Sequence, residues 1–404
     1  MENNRYTPAP APSLALAIFA LALGSFAIGM SEFSIMGLLA EVCRSMSVTL
    51  AQGSHFISAY AIGVVIGAPL FSLLTTQLQR KHQLMLFMAL FLAGNVASVL
   101  ATDYHALRMA RFVSGLPHGA FLGVAALAAA SLVSPDRRGK AVGNVLLGLT
   151  LASLLGNPLA AMLGEYINWR WAFGTVALIA LVDVALIAAI FPKTAQEPAG
   201  SPLKEIKALM NRRIWLTLGI AAIGFGGMFS VISYISPVVT YAVHLSHSWL
   251  PVILFAFGLG MVAGNLAGGW AADKKVMLSM FCILLWSIAV LLLFPLLAPT
   301  LFGAILGSFL IGTNLALCAP LQVRLMQVAG KAQTLAATLN HSAFNIANAL
   351  GASVGAYVVE NGYPVTYTAT YGAILPLLGL VIFLVSLLNE RVSRPRPVVI
   401  TPEA

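Results

Sequence analysis

Three ionisable residues lie well inside long apolar runs of the chain: Glu32, Arg111 and Asp183. A charged side chain at the centre of a membrane helix costs at least ~2.5–3.5 kcal/mol on an insertion scale, so each should face protein or a wet cavity. Glu32 lies about six residues, and Arg111 about four, inside the same-side ends of their runs, which at ~1.5 Å per residue gives them similar depth. Burial favours the neutral form of a carboxyl group, and a neighbouring guanidinium favours the charged form. A site that alternates between those two environments can load and release a proton. Glu32 is therefore the candidate proton carrier, with Arg111 facing it or sharing its cavity. Asp183, near the middle of its own run, is a further candidate for proton coupling. The competing reading is a permanent structural ion pair between two helices.

The second half of the chain has no charge deep in an apolar run. Its polarity comes from Asn265, Asn314, Gln322, Asn340, His341, Asn345 and Asn348. His341, Asn345 and Asn348 recur at helical spacing and share a face, whereas Asn340 points roughly 100° away. A neutral polar stripe suits a hydroxylated or mildly polar solute; interhelical hydrogen bonds of ~0.6 kcal/mol each are the alternative. Candidate substrate contacts are Asn314, His341 and Asn345, with Tyr60 and His118 from the first half. Phe229 and Tyr234 join them because aromatic residues near a proline (Pro237) can line a pocket, although packing or lipid contact is the bland reading. His118 follows Pro117 and could relay protons or serve as a hydrogen-bonded structural group. Metal-ligand clusters, nucleophile elbows and the phosphate-cradling Gly-Lys-Ser motif are absent from the sequence. Neither catalytic residues, metal nor cofactor is expected, and an enzyme or an ATP-driven pump is disfavoured. Cys43, Cys282 and Cys318 show no paired spacing.

The elements that hold these residues are set by composition. Hydrophobic residues make up 59% of 404 positions and charged residues 9%, against roughly 25% charged in a soluble domain. The solvent is mostly lipid. The net charge of +9 falls in short basic clusters between apolar runs, a topology signal and not a nucleic-acid face. A bilayer core of roughly 30 Å needs about 20 apolar residues per helix. Runs of that length predict twelve spans, at 14–38, 53–75, 83–101, 107–132, 141–164 and 171–191, then 214–238, 249–271, 277–297, 301–322, 335–359 and 367–388. The first run is too long for a signal-peptide core and is expected to be retained. Of the 22 basic residues, 18 fall on one side of the alternation; only Arg44, Arg108, Arg111 and Arg170 do not. The positive-inside rule then places both termini in the cytoplasm.

The longest internal polar stretch separates spans six and seven. It divides the chain into an N-terminal bundle at 1–191, a linker at 192–213 and a C-terminal bundle with a short tail at 214–404. A weak repeat supports the division: Gly63 and Gly67 in span two recur 197 residues later as Gly260 and Gly264 in span eight, each pair followed by a polar or basic turn. Six plus six spans around a linker point to a duplicated carrier with its site between the halves.

Motifs along the whole chain resemble the major facilitator superfamily, in its twelve-span drug:proton antiporter group and nearest the arabinose/sugar efflux permeases. They are Gly29-Met-Ser-Glu-Phe-Ser in span one, Ser58-Ala-Tyr-Ala-Ile-Gly in span two and Arg111-Phe-Val-Ser-Gly-Leu-Pro-His-Gly in span four. Span five adds Leu155-Gly-Asn-Pro-Leu and Gly164, followed by Trp169-Arg-Trp171. The resemblance puts Arg111 at the family's coupling arginine and Gly156 and Pro158 in a loose antiporter motif. It also implies loops that latch the outward-facing state through charge and helix-end interactions. After span two that loop keeps Arg80 and Lys81 but has lost both glycines and its acid, with Thr76 at the acid's place. The copy after span eight keeps Gly269, Asp273 and Lys274. The first latch is expected to be weaker or differently built.

The expected protein is thus an all-α membrane protein, twelve transmembrane helices in two pseudo-symmetric six-helix bundles. The resemblance implies a monomer in a bacterial-type inner membrane, exporting a small solute such as a sugar against protons, with no nucleic-acid partner. Alternatives are a drug or nucleoside exporter, an uptake symporter and a membrane sensor; the sensor lacks a sizeable polar output segment after residue 388.

Overall fold

Helices in this chain begin where a polar residue can cap them and run for as long as the sequence stays apolar. The computed structural model describes residues 11–75, 77–134, 137–192, 211–242, 246–329 and 333–392. Most of the expected linker 192–213 lies outside the described residues, as do Thr76 and the basic residues Arg5, Lys193, Lys204, Lys207, Lys331, Arg394 and Arg396.

The membrane-length helices are α1 (Leu14–Gly37), α2 (Leu50–Phe71), α3 (Arg80–Leu100), α4 (Tyr104–Ser131), α5 (Lys140–Tyr166), α6 (Arg170–Ile190) and α7 (Arg212–Tyr241). A 51-residue stretch, His247–Leu297, follows, and then α10 (Leu301–Ala329), α11 (Leu339–Glu360) and α12 (Tyr367–Asn389). The long stretch would reach roughly 76 Å as one helix, more than twice a bilayer core. It breaks at Lys275, whose φ of −152° and ψ of 90° are not helical. Ser279 Oγ donates to the Ala271 and Lys275 carbonyls at 2.7 and 2.8 Å, so the break leaves these oxygens satisfied. The two pieces are α8 (247–274) and α9 (276–297), and twelve spans result.

Caps sit at the polar ends. Thr49 and Gln52 form a reciprocal capping box before α2, Asp103 accepts from Ala106 N ahead of α4, and Thr300 accepts from Gly303 N ahead of α10. Each satisfies donors that a helix start leaves open. No strand occurs among the described residues. Large apolar side chains such as Phe19, Leu70, Leu86, Leu266 and Phe302 point outward, as expected of a surface that meets lipid tails.

The glycine repeat has a structural meaning. A Cβ on Gly63 or Gly67 would lie 2.3 Å from Phe112 O or 1.9 Å from Leu116 O, so α2 can approach α4 only with glycine there. A Cβ on Gly260 or Gly264 would lie 2.0 Å from Phe309 O or 2.4 Å from Thr313 O, so α8 comes against α10 in the same way. Helices two and eight thus play equivalent parts in two related bundles, held by close small-residue packing. Between the bundles, α2 runs along α11 and α5 along α8. At the second seam Gly258 presses on the backbone of Ser153 and Leu154.

Candidate functional site

Three consecutive residues of α1 organise the centre. Successive helical positions point about 100° apart, so Ser31, Glu32 and Phe33 fan out to three different neighbours. Ser31 faces α3 and α4: its Oγ donates to Asn95 Oδ1 at 2.8 Å and accepts from Arg111 Nη1 at 3.0 Å. Glu32 faces the other bundle, where Oε1 accepts from Asn348 Nδ2 of α11 at 3.4 Å. Phe33 stacks on Phe229 of α7 with ring centroids 6.3 Å apart and planes 14° from parallel.

Arg111 is fully buried. Its second amino group donates to the Ser31 carbonyl at 2.9 Å, and the guanidinium lies over the rings of Tyr60 (4.5 Å) and Phe173 (5.2 Å). It does not meet Glu32 in an ion pair. The two side chains share a locality in which each feels the other's charge, but the guanidinium fork is committed to the neighbouring residue. Such a fork is rigid and planar, which suits two acceptors on one residue.

From α4, Arg111 and His118 are seven residues apart and share a face. Both grip Tyr60: Arg111 covers its ring, and the Tyr60 hydroxyl hydrogen-bonds His118 Nδ1 at 2.9 Å. The His118 ring in turn faces that of His341 on α11, centroids 6.5 Å apart. Asn345 donates to the His341 carbonyl at 3.1 Å and leaves its own Oδ1 without a partner. Phe225 packs between Phe229 and Phe344. The structure thus gathers Glu32, Arg111, Tyr60, His118, Phe229, His341 and Asn345 where the bundles meet. The group is packed shut, with Glu32, Tyr60, Arg111 and His118 all buried.

Three expected site residues lie elsewhere. Asp183 turns inward from α6, and both its oxygens are buried without a partner. It presses against α1, where a Cβ on Gly24 would lie 2.6 Å from Oδ2. Tyr234 packs on Gly355 and donates to the Ala352 carbonyl at 3.3 Å, near one end of the molecule. Asn314 sits on a tight turn, Thr313–Leu317, that interrupts α10, with both amide atoms buried and unpartnered. The residues that sequence reasoning missed are Ser31, Asn95, Phe33 and Phe344. An amide inside the apolar run of span three was the available signal for Asn95.

At the end occupied by Tyr234, a short helix, Leu39–Met46, closes the bundles together. Burial pushes the Cys43 thiol there up to about 12, so it stays protonated. Glu41 is raised from its ordinary value by burial, against the lowering influence of Arg44 and with Glu165 adding to the rise.

The motif residues occupy helix ends and seams. Lys81 Nζ donates to the Ala188 and Phe191 carbonyls at 2.7 and 2.8 Å, where α6 ends, and Arg80 donates to Leu127 O at 3.0 Å. Cations at exposed carbonyls of a helix C-terminus are favourable. Gly156 ends a π-helical turn, Ala152–Gly156, and Pro158 opens the next segment of α5, where its missing N–H accounts for the irregular turn. Lys274 covers the Trp270 ring at 3.8 Å, and Asp273 and Lys275 line a surface depression of about 700 Å³ at the α8–α9 turn. A Cβ on Gly269 would meet nothing within 4 Å.

A family model described as Major Facilitator Superfamily matches residues 21–337. The chain belongs to the major facilitator superfamily. Among its superfamily relatives, the "Inner membrane transport protein YdhP" of Escherichia coli (strain K12) is 37% identical over 370 residues, covering 91% of this chain and 95% of that protein. The "Probable sugar efflux transporter" of Pasteurella multocida (strain Pm70) is 29% identical over 370 residues, 91% of each. The crystal structure of a bacterial homologue of the human lysosomal transporter Spinster matches with a TM-score of 0.74. That match covers 96% of this chain and 100% of the other at 15% identity, which shows a shared major facilitator fold alone. The protein is a multi-pass membrane transporter of small molecules, not an enzyme.

Proposed function

We propose that the protein exports a small hydroxylated solute, such as a sugar, in exchange for protons, by alternating access at the seam between its two bundles. The observation that carries this reading is a buried carboxyl, Glu32, placed where the bundles touch and bonded across the seam to Asn348. A proton site there is exposed to one side or the other as the seam opens, which couples its occupancy to the rocking of one bundle on the other. Arg111, fixed on Ser31, supplies the standing positive charge that favours proton release. Tyr60, His118, His341 and Asn345 supply the donors and acceptors for solute hydroxyls.

In this account residues 1–191 and 214–404 move as two bodies joined by 192–213. Both termini are cytoplasmic and the working unit is a monomer. Arg80, Lys81, Asp273 and Lys274 latch the cytoplasmic ends, while Gly156 and Pro158 let the helices approach and flex. A relative named for sugar efflux supports the solute class. The Phe33–Phe229 stack beside the carboxyl favours a second reading, an amphipathic drug or nucleoside as cargo.

Purified protein in vesicles with an imposed pH gradient tests the proposal when screened against sugars and cationic drugs. Gradient-dependent movement of a sugar supports the first reading, and movement of a drug alone supports the second. If no solute responds to the gradient, proton coupling fails.

A further inference from the structure

We propose that the lipid-facing groove between α2 and α4, at the end of the molecule opposite the termini, is a binding site for an anionic phospholipid, with Arg108 against the headgroup phosphate.

Arg44, Arg108, Arg111 and Arg170 do not fall on the basic side of the alternation. Arg111 is bound to Ser31, and Arg44 acts on Glu41. Arg170 donates to the Ala101 carbonyl at 2.8 Å and covers the Trp169 ring. Arg108 is exposed and, among the described residues, has no partner. A cation inside a span is costly unless something answers its charge.

Helical spacing builds the groove beside it. His55, Ser58 and Ile62 recur along one face of α2, and Arg108 and Phe112 along one face of α4 next to Met109. Between these helices lies a depression of about 380 Å³. Counted from the caps at Thr49 and Asp103, His55 and Arg108 both lie about one and a half turns in, and so stand at matching depth. Tyr104 marks the interface at that end. Its hydroxyl bonds His55 Nδ1, and its ring packs on those of Phe56 and His105; such rings settle at headgroup level. Ile62, about two turns deeper than His55, and Met109 are exposed and apolar. The helices close on each other where Gly63 admits Phe112 O. The groove therefore runs from a cation and polar groups to apolar walls in the direction from headgroup to acyl chain.

None of the described lining residues is acidic, and the carboxylate of nearby Asp103 is engaged with Ala106 N. A phosphodiester fits the planar fork of a guanidinium, and an acyl chain meets the walls below. A zwitterionic lipid brings its own cation beside the phosphate, so charge complementarity favours the net anion.

Photolabelling tests the site in the full chain. Phosphatidylglycerol and phosphatidylcholine, each carrying a diazirine on one acyl chain, are added as minor components to phosphatidylcholine nanodiscs, and adducts are mapped by peptide mass spectrometry. One guanidinium at the bilayer surface is expected to enrich phosphatidylglycerol over phosphatidylcholine about fivefold in adducts on Ile62, Met109 and Phe112. Arg108→Gln should bring the two lipids level there, and Arg108→Lys should retain the preference. Adducts on Phe19 and Phe302, exposed on other helices, should be unchanged in both variants. Equal labelling by the two lipids in the unsubstituted protein, or a preference that survives Arg108→Gln, overturns the proposal, the guanidinium then reaching only water. Loss of the adducts on adding glycerol phosphate to the water also overturns it, giving the site to a soluble anion.

Discussion

Ser31 holds the Arg111 guanidinium off its neighbour Glu32, and removing that hold has a calculable consequence. In Ser31→Ala, Arg111 loses the acceptor at 3.0 Å but keeps the backbone carbonyl at 2.9 Å, while Asn95 Oδ1 loses its donor at 2.8 Å. A hydrogen bond to a charged group is worth about 1.5–3 kcal/mol, and a buried charged donor left open costs at least as much. The freed amino group then has two acceptors, the Asn95 oxygen that has lost its donor and the Glu32 carboxylate one residue along α1, and the full charge of the carboxylate is expected to win. A guanidinium in direct contact lowers a carboxyl's proton affinity by about 1–3 pH units. Because Arg111 already acts on Glu32 through space, the additional effect belongs at the lower end, about one unit. Favouring the ionised form means that loading the proton requires more acid, so the midpoint of pH-dependent transport moves down. The assay is initial solute flux in vesicles across pH 5 to 9, Ser31→Ala beside the unsubstituted protein. A midpoint that stays put or moves up would show that Ser31 does not hold Arg111 away from the carboxyl.

Three further outcomes are expected. Gly258→Leu forces the α5–α8 seam apart, since a Cβ would lie 2.5 Å from Leu154 Cα, whereas Gly269→Ala meets nothing within 4 Å; flux should collapse in the first and be unchanged in the second, and equal flux would deny the seam its role. Asp183→Asn retains shape and needs no counter-charge in its unpartnered pocket, so gradient-driven flux should persist; its loss would move Asp183 into the proton path. Glu41 has a raised folded value, so the folded state binds its proton more tightly than the unfolded chain, and a penalty builds up as pH rises from the unfolded carboxyl's value through the folded one. Glu41→Gln should accordingly raise the melting temperature at pH 8 and leave it unchanged at about pH 3, below the unfolded carboxyl's titration; the same gain at both pH values would contradict the assignment.

Much of this arrangement was legible in the residue pattern because lipid leaves few options. Apolar runs of membrane length had to be helices, and the Asp273-Lys274-Lys275 turn marked the break between α8 and α9 that helix length alone obscures. Gly63, Gly67, Gly260 and Gly264 carried the duplication, since close approach at two corresponding seams admits no Cβ. Depth along the helix placed Glu32 and Arg111 together. What depth does not give is rotation about the helix, and that decided their partners: Ser31 takes the guanidinium and Asn348 the carboxylate. Rotation also separates Tyr234 from Phe229. Two π-helical turns, Ile220–Gly224 and Val238–Ala242, and a break near Tyr234 disturb the phase of α7, so a regular helical face does not carry through. Asn314 was displaced by a similar irregularity in α10. Asp183 turns inward against α1, where Gly24 leaves room for it, and so lies apart from Glu32 and Arg111.

The central claim is that the Glu32 carboxyl carries the coupling proton. Glu32→Gln in vesicles, assayed for the same solute with and without an imposed pH gradient, tests it most directly. The account predicts that solute exchange at equal pH persists while the response to the gradient disappears. Gradient-driven export by Glu32→Gln at the unsubstituted rate would contradict it.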